Sequence, residues 1–224
     1  MKRVLGAVAI TAAVVLGMQG CVGFWESDEH RTVSYGVAER ISELVVDGES
    51  GGVVVIGGGD SVGVVEEQSY RGEAPQSRHE VKDGVLTLGY ACDSCGVGYT
   101  VRVPAGTKVR IREGNGGVRL SGLAAEVDAA VENGGVEATG MTSPTARLSA
   151  TNGGVRAEFT AAPTTLDAEV GDGGVRLTVP GGEAYAVDAR TDSGGTDVGI
   201  RSQPGAAHRI TAVAKTGGVT VSGG

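Results

Sequence analysis

Two cysteines, Cys92 and Cys95, lie three positions apart in the tetrapeptide CDSC. A pair with this spacing can act as a redox dithiol, supply two ligands to a metal ion, stay as free thiols or form a local disulfide. Redox dithiols of this kind stand at the start of a helix, whose dipole lowers the pKa of the first thiol. Here a strand pattern follows Cys95 instead. The sequence therefore favours a structural disulfide, with the redox, metal and free-thiol interpretations as alternatives.

The third cysteine, Cys21, follows a segment that is typical of exported proteins. Lys2 and Arg3 precede an apolar run from residue 4 to residue 18. This run is shorter than the roughly 20 residues that a membrane-spanning helix needs. Residues 1–20 are therefore predicted to be a cleaved signal peptide, with an uncleaved anchor as the alternative.

The residues around the predicted cleavage point, Met18 to Cys21, resemble the bacterial lipobox, in which the cysteine receives diacylglycerol and becomes the new N-terminus. Gly20 and Cys21 match that pattern, whereas Met18 and Gln19 depart from it. The resemblance implies that Cys21 is lipidated and held at the outer face of a membrane. The following residues, up to residue 37, mix Gly, Ser, charge and two aromatics without a period, so residues 21–37 are predicted to be the lipidated cysteine and a short tether. Two or more acyl chains hold a protein stably at a bilayer.

Carboxylates and histidines form no recognisable catalytic set in the sequence. Carbohydrate-active enzymes built on β-helices need clustered acids or calcium beside a groove. Here the acids are spread over separate repeats, and His30, His79 and His208 are scattered. The segment from Gly57 to Asp60 does not recur at the spacing of a calcium repeat. We therefore predict no catalytic residue, no cofactor and no metal site, with a carbohydrate-active enzyme as the alternative of another class.

Composition narrows the choice of partners. The net charge of −8 disfavours nucleic acid, whose binding depends on Lys and Arg neutralising phosphates. Aromatic residues make up 4% of the chain, which is few for a module that binds sugars by stacking. The 40 glycines against 6 prolines indicate many tight corners instead of a proline-rich linker.

A glycine repeat predicts the elements that carry these residues. A polar residue, two glycines and usually valine recur, and the second glycines from residue 117 onward are spaced 18, 19, 20, 21 and 23 residues apart. These predicted repeat corners are Gly117, Gly135, Gly154, Gly174, Gly195 and Gly218, and an earlier copy ends at Gly52. A repeat of this length cannot enclose a core alone, but successive copies can stack.

Apolar residues alternate on both sides of each corner, as in Val109 and Ile111 before Gly117 and Val118 and Leu120 after it. A period of two indicates strands. One column of outward residues mostly alternates in charge, which favours pairing between stacked copies. That column is Arg110, Asp128, Arg147, Asp167, Asp188 and Thr211.

We therefore predict an all-β fold with a single-domain, parallel β-solenoid over residues 38–224, stacked in chain order. Antiparallel hairpins are the alternative. The corner glycines are expected to have positive φ. The polar residues before them (Asn115, Asn133, Asn152 and Asp172) are expected to cap the turns and to stack their amides. Three runs without a corner, at 62–67, 85–90 and 99–103, are expected to form irregular first coils.

The segment from Tyr99 to Pro104, the strands from Val109 to Leu120 and the repeated Gly-Gly-Val strands resemble the bacterial putative adhesin domain, a family of unknown function. The resemblance spans about residues 41–223. It implies a right-handed β-solenoid in an envelope protein and brings no catalytic residues.

Together these observations predict a non-catalytic envelope lipoprotein, an adhesin or binding scaffold that presents a rigid rod to another protein or a glycan. An envelope-stress or regulatory accessory protein is the non-enzymatic alternative.

Overall fold

Residues 28–224 are described by a computed structural model, so the predicted signal peptide and Cys21 lie outside the described residues. The described chain contains nineteen β-strands and no helix. The predicted all-β class is confirmed. Over this same range, no helix is long and apolar enough to cross a membrane.

The strand bounds follow chain order. The strands are β1 (Glu29–Val37), β2 (Glu43–Ser50), β3 (Val53–Ile56), β4 (Val62–Tyr70), β5 (Gln76–Lys82), β6 (Val85–Ala91), β7 (Cys95–Arg102), β8 (Lys108–Asn115), β9 (Val118–Ser121), β10 (Val127–Asn133), β11 (Val136–Met141), β12 (Thr145–Asn152), β13 (Val155–Phe159), β14 (Thr165–Asp172), β15 (Val175–Val179), β16 (Tyr185–Ser193), β17 (Thr196–Val198), β18 (His208–Thr216) and β19 (Val219–Gly223).

The strands form two sheets that face each other across one core. The first has ten strands in the order β1-β4-β7-β3-β9-β11-β13-β15-β19-β17, and the second has nine in the order β16-β18-β14-β12-β10-β8-β2-β6-β5. Each repeat gives one strand to each sheet, joined at its corner, and we call such a pair of strands a rung. Neighbouring repeat rungs pair in parallel and in register, as β8 does with β10. The predicted parallel solenoid is confirmed, and the hairpin alternative is wrong.

The core is built from the inward positions that the alternation predicts. Val109 and Ile111 are 2% and 0% exposed, and Val118 and Leu120 are 0% and 1% exposed. Because side chains on successive strand residues point to opposite faces, each rung adds two small apolar side chains to the core from each sheet. Burial of a Val or Leu side chain contributes about 1.5–3 kcal/mol.

The corners differ from the prediction in which glycine is strained. The first glycine of each pair has the positive φ, for example 150° at Gly116 and 145° at Gly134. A Cβ at Gly134 would collide with the carbonyl oxygen of Gly116 in the neighbouring rung. At the second glycine, Gly135, the φ is not positive, and a Cβ would lie 3.1 Å from the carbonyl oxygen of Gly154. The prediction of positive φ at the second glycine is therefore wrong for the six corners from Gly117 onward, because the chain turns one residue earlier there; Gly52 of the early copy, with a φ of 84°, is the exception.

The rungs do not stack in chain order at either end. The β2–β3 rung lies between the β6–β7 rung and the β8–β9 rung, although β6 and β7 come later in the chain. At the other end, the β18–β19 rung lies between the β14–β15 rung and the β16–β17 rung. The prediction of strict chain order is wrong at both ends.

Charge gives a physical reason for the exchange near the C-terminus. In chain order Asp167 would face Asp188, and like charges directly opposite each other on adjacent strands are destabilising. In the structure Asp167 faces Thr211, and Thr211 faces Asp188. The neutral threonine therefore separates the two carboxylates by one rung.

Antiparallel strands close the N-terminal end. β1 pairs with β4, β4 with β7, and β5 with β6. Residues 29–37, which the sequence places in the tether, form β1, so the predicted domain boundary at residue 37 is wrong. The exposed strand β5 carries Arg78, Glu80 and Lys82, and charges on an edge strand oppose pairing with other chains.

The C-terminal end has no such cover. Val198 in β17 is 39% exposed, and the inward positions Val187 and Ala189 in β16 are only half-buried. The alternation predicts all three as core residues. They are partly open because, within residues 28–224, no further rung stacks on the β16–β17 rung.

A paired substitution tests the corner geometry. We expect Gly134→Ala to lower the free energy of unfolding by on the order of 3 kcal/mol, because it adds a Cβ at positive φ against a backbone oxygen. Gly117→Ala should change it by less than about 1 kcal/mol, since its Cβ would lie at an ordinary 3.8 Å from the carbonyl oxygen of Gly135. Urea denaturation followed by circular dichroism measures both. Equal effects of the two substitutions would contradict the assignment of strain to the first glycine.

Candidate functional site

The most extended concave surface along the regular repeats is a groove of about 600 Å³ beside the stacked corners. The groove forms because glycine has no side chain, so a row of stacked glycines leaves a channel that runs across the rungs. We call it the glycine groove. Its floor consists of Gly117, Gly135, Gly154, Gly174 and Gly218, and its charged border consists of Arg119, Glu137, Arg156 and Arg176.

The backbone of the floor is already hydrogen-bonded along the stack. The N–H of Val118 donates to the carbonyl oxygen of Gly135 at 2.9 Å. The N–H of Val136 donates to the carbonyl oxygen of Gly154 at 2.9 Å. Because these carbonyl oxygens are satisfied within the solenoid, they offer little to a partner in the groove, and the charged groups that can recognise one are the side chains on its border.

The border follows the register of the sheet. Arg119 faces Glu137, and their charged groups lie 3.7 Å apart. Arg156 faces Arg176 on the next pair of strands. Among residues 28–224, neither Arg156 nor Arg176 has a carboxylate partner within ion-pair distance. The groove therefore carries two adjacent unpaired positive charges on a chain whose net charge is −8.

Asparagine amides line the other side of the corners. The Nδ2 of Asn152 donates to the Oδ1 of Asn133 at 2.8 Å, and the Nδ2 of Asn133 donates to the Oδ1 of Asn115 at 3.0 Å. The Nδ2 of Asn115 donates to the carbonyl oxygen of Glu49 at 3.1 Å. The amides thus bond from rung to rung. This ladder ties the corners to one another and supports the register of the groove.

A buried polar cluster occupies the N-terminal end of the core. Glu66 and Gln68 are 1% and 5% exposed. The Tyr35 hydroxyl donates to one oxygen of Glu66 at 2.7 Å, and the Nε2 of Gln68 donates to the other at 3.0 Å. Burial, reinforced by the nearby Glu66 carboxylate, raises the pKa values of Tyr35 and Tyr99. The alternation of the sequence predicts apolar residues here and gives no sign of this cluster.

Glu113 is a second buried carboxyl group that sequence reasoning missed. It is 3% exposed, and among the described residues neither of its oxygens has a hydrogen-bond partner of good geometry. It lies against Gly48, where a Cβ would overlap the carboxyl group. Burial raises the pKa of Glu113 to about 7, against an opposing effect of the N–H groups of Gly52 and Asn115. The sequence does hold one indication of this group, because Glu113 occupies an inward position whose counterparts in the next two rungs are Val131 and Ala150.

The structure joins Cys92 and Cys95 in a disulfide with their Cα atoms 5.9 Å apart. The bond closes the corner of the β6–β7 rung. Ten positions separate Gly89 from Tyr99 there, against six between their register partners Asp47 and Val53. The disulfide therefore lies across an enlarged corner, which fits a structural role. That the chain is exported and that the pair is oxidised there both stay predictions.

The three histidines are not brought together. His79 stacks on Tyr35 with ring centroids 4.6 Å apart, while His208 packs near Tyr185 at 5.6 Å. His30 lies on the edge strand β1. Within residues 28–224, no group of three or more His, Cys, Asp or Glu side chains is placed to hold a metal ion.

Comparison with known proteins adds a family and a fold. The family Toastrack DUF4097 matches residues 79–222. A putative cell adhesion protein of Clostridium sporogenes has a similar structure with a TM-score of 0.57 and 12% identity, over 88% of this chain and all of that one. A putative adhesin of Bacteroides fragilis has a TM-score of 0.53 and 15% identity, over 90% of this chain and all of that one. No curated protein matches the chain.

Proposed function

The chain belongs to the Toastrack DUF4097 family, and from this premise we propose that it is a non-catalytic scaffold, anchored by lipid on Cys21, that binds an extended partner in the glycine groove. The observation that carries the proposal is the groove itself. It crosses five consecutive rungs, which at a strand spacing of about 4.8 Å makes it about 19 Å long. The adhesin titles of the similar structures agree with a binding role.

The rigidity of the surface favours binding. Backbone hydrogen bonds and the asparagine ladder hold the corners in place, so little conformational entropy is lost when a partner settles in the groove. A long, straight and preorganised surface suits a partner that is itself extended.

The placement of the acids supports a non-catalytic role. Hydrolysis of a glycosidic bond needs two carboxyl groups on either side of the substrate. Among the residues lining the glycine groove, Glu137 is the one acid, and it is paired with Arg119. The buried acids Glu66 and Glu113 belong to the N-terminal end of the core instead of the groove.

Anchoring at Cys21 would orient the scaffold. Eight positions separate Cys21 from Glu29, where β1 begins, and this length of chain reaches at most about 28 Å. Because β1 lies at one end of the ten-stranded sheet, that end would stay near the membrane and the β16–β17 rung would lie farthest from it.

The anchor is tested by Cys21→Ser. In cells, this chain should move from the membrane fraction to the periplasm or medium, because it can no longer carry acyl chains. Fractionation and immunoblotting measure the shift, with the parent chain as control. Retention of an unlipidated Cys21→Ser chain in the membrane would refute the anchor.

The binding site is tested by filling the groove. Gly218→Gln adds a side chain to the floor where a Cβ meets its nearest atom at 3.7 Å, so the fold should tolerate it. Gly195→Gln is the matched control, because it changes the equivalent corner glycine outside the groove, where a Cβ meets nothing within 4 Å. On a glycan array and on immobilised envelope proteins, Gly218→Gln should weaken binding at least tenfold and Gly195→Gln less than twofold.

Equal binding by the parent chain and both variants would rule out the groove as the site. Turnover of any polysaccharide that one Asp or Glu substitution abolishes would overturn the non-catalytic assignment and favour the carbohydrate-active alternative.

A further inference from the structure

Arg156 and Arg176 break the charge pattern that the rest of the solenoid follows. On the nine-stranded sheet, Arg110, Asp128, Arg147 and Asp167 alternate in sign from rung to rung. On the ten-stranded sheet, Arg119 and Glu137 continue that alternation, but Arg156 then faces Arg176 at a strand spacing of about 4.8 Å. Both arginines are exposed. Glu137 lies opposite Arg156 on its other side, but its carboxylate forms its ion pair with Arg119, so neither Arg156 nor Arg176 has an ion-pair partner among the described residues.

This pair is costly unless an anion lies between the two side chains. Like charges directly opposite on neighbouring strands are destabilising. Opposite Arg176 lies the neutral Thr220, and the one carboxylate beside Arg156, Glu137, is shared with Arg119. A guanidinium group presents five N–H donors in a planar fork, and two such groups side by side can bind one phosphate or carboxylate group from both sides.

We propose that the glycine groove takes a linear polymer of sugar or polyol units that bear phosphate or carboxylate groups, and that Arg156 and Arg176 together bind one such group. The inference rests on the proposed function and names the ligand class for the same groove. The overall charge of −8 repels anions elsewhere on the surface, so the arginine pair is the place where an anionic chain gains most.

Three observations favour such a polymer over an acidic peptide. The C=O groups of the floor glycines already accept from N–H groups of neighbouring rungs, so a peptide strand finds no free row of acceptors to pair with. The groove runs across the strands, which suits an extended polymer. None of its lining residues is aromatic, so recognition depends on charge instead of ring stacking.

The test measures binding of the full chain to soluble polymers. The probes are a polyglycerol phosphate, a polyuronic acid and neutral dextran, with poly-glutamate as the peptide probe. We expect binding to one or both anionic polymers but not to dextran, and a fall in affinity as salt increases. Binding to the phosphate polymer alone, or to the uronic acid polymer alone, identifies which anion the groove selects.

Charge-matched double variants locate the site. Arg156→Gln with Arg176→Gln should weaken polymer binding at least tenfold. Arg110→Gln with Arg147→Gln, which removes the same charge from two exposed arginines of the other sheet, should weaken it less than twofold. Circular dichroism checks that both variants stay folded.

The outcomes separate this inference from the proposed function. If Gly218→Gln abolishes binding on the array while the Arg156 and Arg176 variant binds the same ligand as the parent chain, the groove is the site and the anionic polymer is wrong. Equal loss in both double variants, absence of binding to either anionic polymer, or tighter binding of poly-glutamate would each overturn the inference.

Discussion

The close approach of successive corners is the constraint on which this structure depends. The first glycine of each corner adopts a φ between 121° and 152° and packs so closely on the neighbouring rung that a Cβ would overlap its backbone. Only glycine fits such a position. Since each corner lies directly on the next, all strands start in phase, and a slip by one residue would turn every inward valine to solvent. The core, the outward charge columns and the glycine groove all follow from this register.

Identical corners leave the order of the rungs undetermined, and other interactions select it. At the N-terminal end, β7 and β6 carry the antiparallel strands β4 and β5 on their outer edges, and β3 and β2 lie on their inner edges. Near the C-terminus, Thr211 separates Asp167 from Asp188. A single pair of surface charges contributes little to stability. The corners would allow either order of the β16–β17 and β18–β19 rungs, and the repulsion between Asp167 and Asp188 is enough to favour the observed one.

The alternation and the glycine repeat predicted those features of the fold that depend on residues close together in the sequence. Alternation around each corner predicted core residues such as Ile111 and Leu120, and the repeat predicted parallel rungs. The edge strand β5 was missed because its charged residues show no alternation, and Glu66 and Glu113 were missed because they stand where the pattern expects apolar residues. The groove is harder still to predict from the sequence, because the glycines form one continuous channel only when their rungs are stacked next to one another. The charge column gave a partial sign, because its two adjacent aspartates, Asp167 and Asp188, conflict with stacking in chain order.

The central claim is that the groove runs from Gly117 to Gly218 because the β18–β19 rung stacks directly on the β14–β15 rung. Paired cysteines test it most directly, in a chain that also carries Cys21→Ser. Arg176→Cys with Thr220→Cys places the two thiols on adjacent strands, where Cα atoms about 4.8 Å apart permit a disulfide. Arg176→Cys with Asp197→Cys places them two strands apart, at about 9.6 Å, which is too far. Mass spectrometry after mild oxidation should find the new disulfide in the first pair and not in the second; a bond in the second pair alone would show rungs stacked in chain order and contradict the account.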